Sequence, residues 1–119
     1  MAVHWQIDEH VDHNVVVLRL ATRGVFVSED DGALWLRTKQ LVNDGYVRIL
    51  LNVKGVDYID SFSLGEIVRG FNAARNAGGR FGVCQLLPRI RSLLVSTKLM
   101  DVIPVFETEQ EGIDALGAE

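Results

Sequence analysis

Apolar residues in this chain recur with two different periods, and the switches between them lay out its elements. Residues 47–53 (VRILLNV) form a short, β-branched apolar run that predicts a buried strand. After the turn at 55–60, Leu64, Ile67, Val68, Phe71 and Ala74 fall at i, i+3, i+4, i+7 and i+10, one stripe of a 3.6-residue period. Gly78-Gly79 stops that helix, and residues 81–84 begin a second apolar strand. Strand, helix and strand with short links predict a βαβ unit, parallel and right-handed. The loop at the carboxyl end of its first strand carries Asp60, Ser61 and Ser63 at a helix start. In open α/β sheets ligands and partners dock at that edge.

The flanking segments fit around this unit. Residues 3–7 and 14–20 predict two strands of an antiparallel hairpin, joined by a polar turn at 8–13. Residues 21–27 carry no clear period: Gly24 marks a turn, and Val25-Phe26-Val27 reads as a short strand or as loop. Ser28 with Asp31 resembles a capping box, and Glu29-Asp30-Asp31 suits the positive end of a helix running to about Asn43. Leu34 and Leu41 share its inner face with Trp35 and Val42 beside them, and Asn43-Asp44-Gly45 ends it. Pro88 suits the first turn of a short helix, with Ile90, Leu93 and Leu94 inward and Arg89 and Arg91 in solvent. Residues 102–106 contain Pro104 and predict an edge strand at most. Thr108 and Glu111 form a further capping box, followed by Ile113 and Leu116 on one face. The class is α/β: a mixed central sheet with about four helices packed on it, in a single domain spanning residues 1–119.

Composition narrows the chemistry. A formal charge of -4 and a pI near 5.3, with no Lys/Arg cluster, argue against direct contact with nucleic acid. No apolar run approaches the roughly 20 residues needed to span a bilayer, so no membrane insertion is expected. The start, MAVHWQIDEH, lacks the basic and apolar regions of a signal peptide. The single cysteine, Cys84, lies in an apolar strand and reads as inert packing in a reducing compartment. A cytoplasmic, monomeric domain is the expectation. His4, His10 and His13 invite a metal reading, but two of them fall on the predicted turn and no cysteine supports them. No metal or cofactor is therefore expected. The chain has no Gly-rich phosphate loop, no zinc-spaced Cys/His set and no nucleophile elbow. Asp57 and Asp60, three residues apart in a loop, make a weak carboxylate pair, and the expectation is a protein that is not an enzyme.

The exception is the loop from Asp57 to Glu66. Ser63 with Glu66 reads as a full capping box, while Asp60 and Ser61 are equally suited to cap. A serine there, once phosphorylated, would gain about -1.5 to -2 charges at a protruding edge, favoured by the helix dipole and opposed by Asp60.

Residues 58–65, YIDSFSLG, resemble the hydrophobic-Asp-Ser-Ser-Gly-Leu-Gly signature of STAS domains, the anti-sigma factor antagonists of bacteria. Residues 75–79 (RNAGG) look like that family's Arg-x-x-Gly-Gly helix exit. Residues 86–99 are similar to its Leu-x-Pro-x-Val-x-x-Leu-x-x-Thr-x-Leu segment, and residues 106–116 to its terminal helix. The likeness runs over about residues 14–116. It implies a STAS fold and a phosphorylation-switched binding protein that sequesters an anti-sigma factor with serine kinase activity and so releases a sigma factor. A serine phosphatase would reset the cycle. It places the phosphoacceptor at Ser61, with Ser63 as the alternative, and the partner surface at Asp57, Asp60, Ser61, Phe62, Ser63, Gly65 and Glu66. The sequence departs from the pattern where Phe62 replaces the second small residue and Ser63 replaces Gly, and where Gly24-Val25-Phe26-Val27 stands in place of Gly-x-Leu-Asp. The same resemblance allows a STAS subunit without a phosphoswitch, as a scaffold in a stressosome-like assembly or in a lipid-transport ABC complex.

Overall fold

The computed structural model describes residues 5–22 and 32–118. In chain order these form β1 (Trp5–Asp12), β2 (Val15–Thr22), α1 (Ala33–Asn43), β3 (Arg48–Gly55), α2 (Ser61–Asn76) and β4 (Arg80–Cys84). There follow α3 (Pro88–Ser96), a 3-10 turn (Leu99–Asp101), β5 (Val105–Phe106) and α4 (Glu109–Gly117). The strands make one sheet of order β1-β2-β3-β4-β5. β1 and β2 are antiparallel and the remaining pairs are parallel. The sheet is mixed, as the pattern predicts, and its parallel part includes the central βαβ unit.

Alternation along the strands divides the core in two. Val16, Leu18 and Leu20 of β2, with Ile49, Leu51 and Val53 of β3, join Leu34, Ile67, Phe71 and Ile90 from α1, α2 and α3. Val15, Val17, Leu50 and Cys84 pack on the opposite face against Ile113 and Leu116 of α4. The run at 47–53 is apolar on successive residues from Ile49 to Leu51, without alternation, because β3 is covered on both faces. Leu50 and Val83, one on each face, are both buried.

The hairpin differs from its prediction in register. β1 continues to Asp12, and the turn is only His13-Asn14, both at positive φ (51° and 67°), as a two-residue type I′ connection requires. Residues 8–12 look like loop because their polar side chains outnumber the apolar ones. An edge strand with one solvated face tolerates such a composition.

Helix α1 starts at Ala33 behind Gly32, which holds φ 72°, several residues later than the Ser28 start predicted. The Ser28–Asp31 box and residues 25–27 lie outside the described residues. α1 ends at Asn43 with Asp44 as its C-cap, and Gly45 (φ 92°) turns the chain away, as the Asn43-Asp44-Gly45 stop predicts. α2 ends in a Schellman motif, with the Gly78 N–H donating to the Arg75 carbonyl (3.0 Å) and the Gly79 N–H to that of Ala74 (2.8 Å). A Cβ on Gly79 would lie 2.0 Å from the Val47 carbonyl oxygen, so the second glycine is a steric requirement.

The inner face of α2 is also rotated from the predicted stripe. Ile67, Phe71 and Ala74 are buried, but Ser63, Glu66 and Gly70 are buried with them, while Leu64 and Val68 are only partly covered. Gly70 explains the rotation: the space left by its absent Cβ is bounded by Thr38 of α1 and the Phe81 ring, both at 3.1 Å. α2 therefore faces α1 as well as the sheet.

The C-terminal third follows its prediction closely. Pro88 opens α3, with Ile90 and Leu94 buried and Leu93 partly so. Arg89 is exposed, whereas Arg91 is partly covered and pairs with Glu107 at 3.1 Å. β5 begins after Pro104 and sits at the sheet edge. Thr108 caps α4, accepting from the Glu111 N–H at 3.1 Å.

Candidate functional site

The carboxyl end of β3 feeds loop 56–60, and the loop delivers the chain to the amino end of α2. Asp60 is the N-cap. Its Oδ1 accepts from the Ser63 N–H at 2.8 Å and from the Ser63 hydroxyl at 2.6 Å. The reading of Ser63 as the cap of a Ser63/Glu66 box is thus corrected: Ser63 stands at the third helical position and is fully buried. The shorter carboxylate reaches the free N–H groups of the first turn from outside the helix, and the hydroxyl of Ser63 then serves it as donor. Ser61 opens the helix and is exposed. Its own N–H and that of Phe62 make no hydrogen bond among the described residues, leaving two donors at the positive end of α2.

Glu66 was expected on a partner-facing rim, and it lies instead fully buried. Its Oε2 accepts from the backbone N–H of Trp35 at 2.8 Å, in the first turn of α1. Gly32 has no side chain with which to cap α1, and α2 supplies the carboxylate in its place. This tie between two helix starts is invisible to local capping rules, because donor and acceptor are separated by 31 residues.

Phe62 does not project as a spike. Its ring is half-buried, packed against the apolar core and under the guanidinium of Arg69 (5.9 Å from the ring centroid). The same guanidinium lies 5.8 Å from the Trp35 ring, which joins α1 and α2 at the surface. Asp57 is exposed. Gly65 is partly exposed, and a Cβ there would meet nothing within 4 Å, so nothing inside the chain demands glycine. Beside this rim Tyr58 and Ile59 face Arg89 and Leu93 of α3 across a groove of about 420 Å³. Of the seven predicted surface residues, the structure thus gathers Asp57, Asp60, Ser61, Phe62 and Gly65 around one helix start and turns Ser63 and Glu66 inward.

Pattern reading missed a polar cluster at the other side of the sheet's carboxyl edge. Arg19 of β2 grips Glu109 of α4 through Nε (2.9 Å) and Nη2 (2.8 Å). Asn52 Nδ2 donates to Glu109 (3.0 Å) and to Gln85 (2.7 Å), and its Oδ1 accepts from the Lys54 N–H at 3.0 Å. The hydrogen bonds from Arg19 hold the Glu109 carboxyl down to about 2, against the opposing effect of burial. The cluster pins the start of α4 to the sheet. A polar residue within the apolar run, Asn52, was its only trace in the sequence. Beneath it, burial chiefly and then the Glu109 charge push the Cys84 thiol up to about 12, which keeps it protonated and unreactive. His10 lies within β1 opposite Val17, not on the turn; His13 is on the turn beside Asp12; His4 falls outside the described residues. Among the described residues no three His, Cys, Asp or Glu side chains are grouped to hold a metal ion. No helix among them is long and apolar enough to cross a membrane.

A strand-loop-helix edge with an exposed serine beside a capping aspartate agrees with the resemblance drawn from residues 58–65. The sequence profile of the STAS domain matches residues 6–112. The chain belongs to the STAS domain family. The TM1081 homolog of Thermotoga neapolitana is 33% identical to this STAS domain over 75 residues, which is 63% of this chain and 66% of that protein, just under two thirds of its length. The solution structure of the protein TM1081, from Thermotoga maritima, superposes with a TM-score of 0.80 at 25% identity, covering 98% of this chain and 92% of that one. The anti-sigma factor antagonist SpoIIAA in its unphosphorylated form has the same fold, at a TM-score of 0.73 and 18% identity, over 98% of this chain and 100% of that one. The phosphorylated form of SpoIIAA, from Bacillus, gives 0.71 at 20% identity, over 94% and 98%. The fold of this STAS domain is therefore that of the antagonist structures, with Phe62 and Ser63 built into its helix start.

Proposed function

We propose that this STAS domain is a non-enzymatic anti-sigma factor antagonist, switched by phosphorylation of Ser61. In the dephosphorylated state it sequesters an anti-sigma factor that is also a serine kinase, and so releases a sigma factor. Phosphorylation by that partner ends the complex, and a serine phosphatase restores it. The observation that carries this reading is the division of labour between the two serines. Ser63 is buried with its hydroxyl committed to Asp60, whereas Ser61 is exposed at the first position of α2. A phosphate on Ser61 would meet the two uncommitted N–H groups and the positive end of the helix, so the free protein accommodates it at little cost. In a complex the same charge would be desolvated, with the Asp60 carboxylate close by. A penalty of about 3 kcal/mol, ordinary for a poorly paired buried charge, weakens binding more than a hundredfold.

The test is calorimetric titration of wild type, Ser61→Asp, Ser61→Ala and authentic phosphoprotein against the cognate kinase. Ser61→Asp and phosphoprotein should bind at least about a hundredfold more weakly, with thermal stability nearly unchanged. Ser61→Ala should bind and accept no phosphate. Phosphate found by mass spectrometry on Ser63 would overturn the residue assignment. Equal affinities for all forms would reduce Ser61 to a residue of the helix start, and the domain to a scaffold without a switch.

A further inference from the structure

We propose that the groove at the amino end of β4 is a binding site for a small amphiphilic carboxylate, a medium-chain acyl or arylalkyl acid. The groove exists because β5 is short. β5 pairs only with Val83 and Cys84, so the Arg80–Gly82 side of β4 borders open space instead of a neighbouring strand. The space amounts to about 530 Å³, within the range of small-molecule pockets.

Its walls are apolar. Phe71 and Phe81 meet edge to face, with centroids 6.2 Å apart at 80°, on one side of the sheet edge. Phe106 and Leu116 close the other side. A Cβ on Gly82 would lie 2.8 Å from the Phe106 ring, so the bare strand is what lets that ring lie against it. Val102 stands on the lining with 52% of its surface in water, an exposure that an apolar ligand would relieve.

The charged side chains on the lining, Arg75 and Arg80, carry one sign. Arg80 is held in place by the carbonyls that end α4, donating to Ala115 (3.2 Å), Leu116 (3.4 Å) and Ala118. Arg75, in the last turn of α2, is exposed and makes no ion pair or side-chain hydrogen bond among the described residues. Two guanidiniums on one apolar groove, in a chain of formal charge -4, select an anion, and the planar fork of Arg75 matches a carboxylate. The volume admits an acyl chain. The site lies towards the opposite end of α2 from Ser61, with Arg75 about 21 Å along the helix, and does not depend on the phosphoswitch.

Decanoate, kept below its micelle concentration, is the probe. Calorimetry and amide NMR on the whole chain should show one saturable site, with shifts centred on Phe81, Val102 and Phe106. Decanol, with the same chain and no charge, should bind about tenfold more weakly, as should Arg75→Glu, while Arg75→Lys should keep most of the affinity. Ala115→Trp, from an exposed position on the lining, should fill the groove and abolish binding with the melting temperature unchanged. Absence of saturable binding, or equal affinity for decanol and for Arg75→Glu, would overturn the proposal. Binding to anionic vesicles without binding to monomeric decanoate would overturn it in favour of a membrane contact. NMR shifts that depend on protein concentration alone would assign the groove to self-association through the β4 edge.

Discussion

Glu66 offers the sharpest test of how the two helix starts hold each other. Glu66→Ala removes the acceptor of the Trp35 N–H, and Gly32 has no side chain to replace it. Loss of a helix cap costs about 1 kcal/mol. Glu66 is fully buried, so truncation also strips its methylenes from the core and leaves a small void, adding about 2 kcal/mol. The expected loss is about 3 kcal/mol, or roughly 10 °C in melting temperature for a chain of this size. Glu66→Gln keeps the volume and one acceptor oxygen for the Trp35 N–H, so it should cost only about 1 kcal/mol. Urea unfolding followed by circular dichroism measures both values, and amide exchange at Trp35 reports the local bond. In Glu66→Ala that amide should exchange faster than the helix average. A loss below about 0.5 kcal/mol, or a Trp35 amide unchanged in both variants, would refute the cap.

Three further outcomes follow from the packing and the charges. Leu50→Ala should cost about 2–5 kcal/mol in urea unfolding, because Leu50 is fully buried beneath α4, where a Cβ on Gly112 would come within 2.8 Å of it. Gly65→Ala should stabilise by about 0.5–1 kcal/mol, since its Cβ meets open space, and should weaken the partner complex if the partner's backbone presses on that turn. Glu109 holds its carboxyl at about 2, below its ordinary 4.5, so the stability it lends is complete above about 4.5 and disappears as pH falls towards 2. With Arg19 49% exposed, screening reduces that contribution to about 1 kcal/mol, and Glu109→Gln should flatten the pH profile across that window.

The elements of this domain whose signals are local were legible in the sequence. Strand β3 shows itself as a largely apolar run because both of its faces are covered, and the glycines after α2 announce a Schellman turn that the structure contains. The Pro88 start of α3, the Thr108 cap of α4 and the edge placement of β5 depend on side chains within a few residues of the backbone they serve. Proximity along the chain made them readable. The site was legible as a place, since an acidic cap and a serine at a strand-to-helix edge are adjacent in sequence. Which serine faces water was not, because that depends on α2 being turned towards α1 by the Thr38–Gly70 contact. The same rotation buries Glu66, and only the packing of α1 brings the Trp35 N–H to meet it. The Arg19–Glu109–Asn52 cluster joins three elements 90 residues apart at its extremes, and no periodicity records such a meeting. The local code wrote the strands, the helix stops and the starts of α3 and α4. Docking of helices onto two faces of the sheet decided which polar groups are structural and which remain free for a partner.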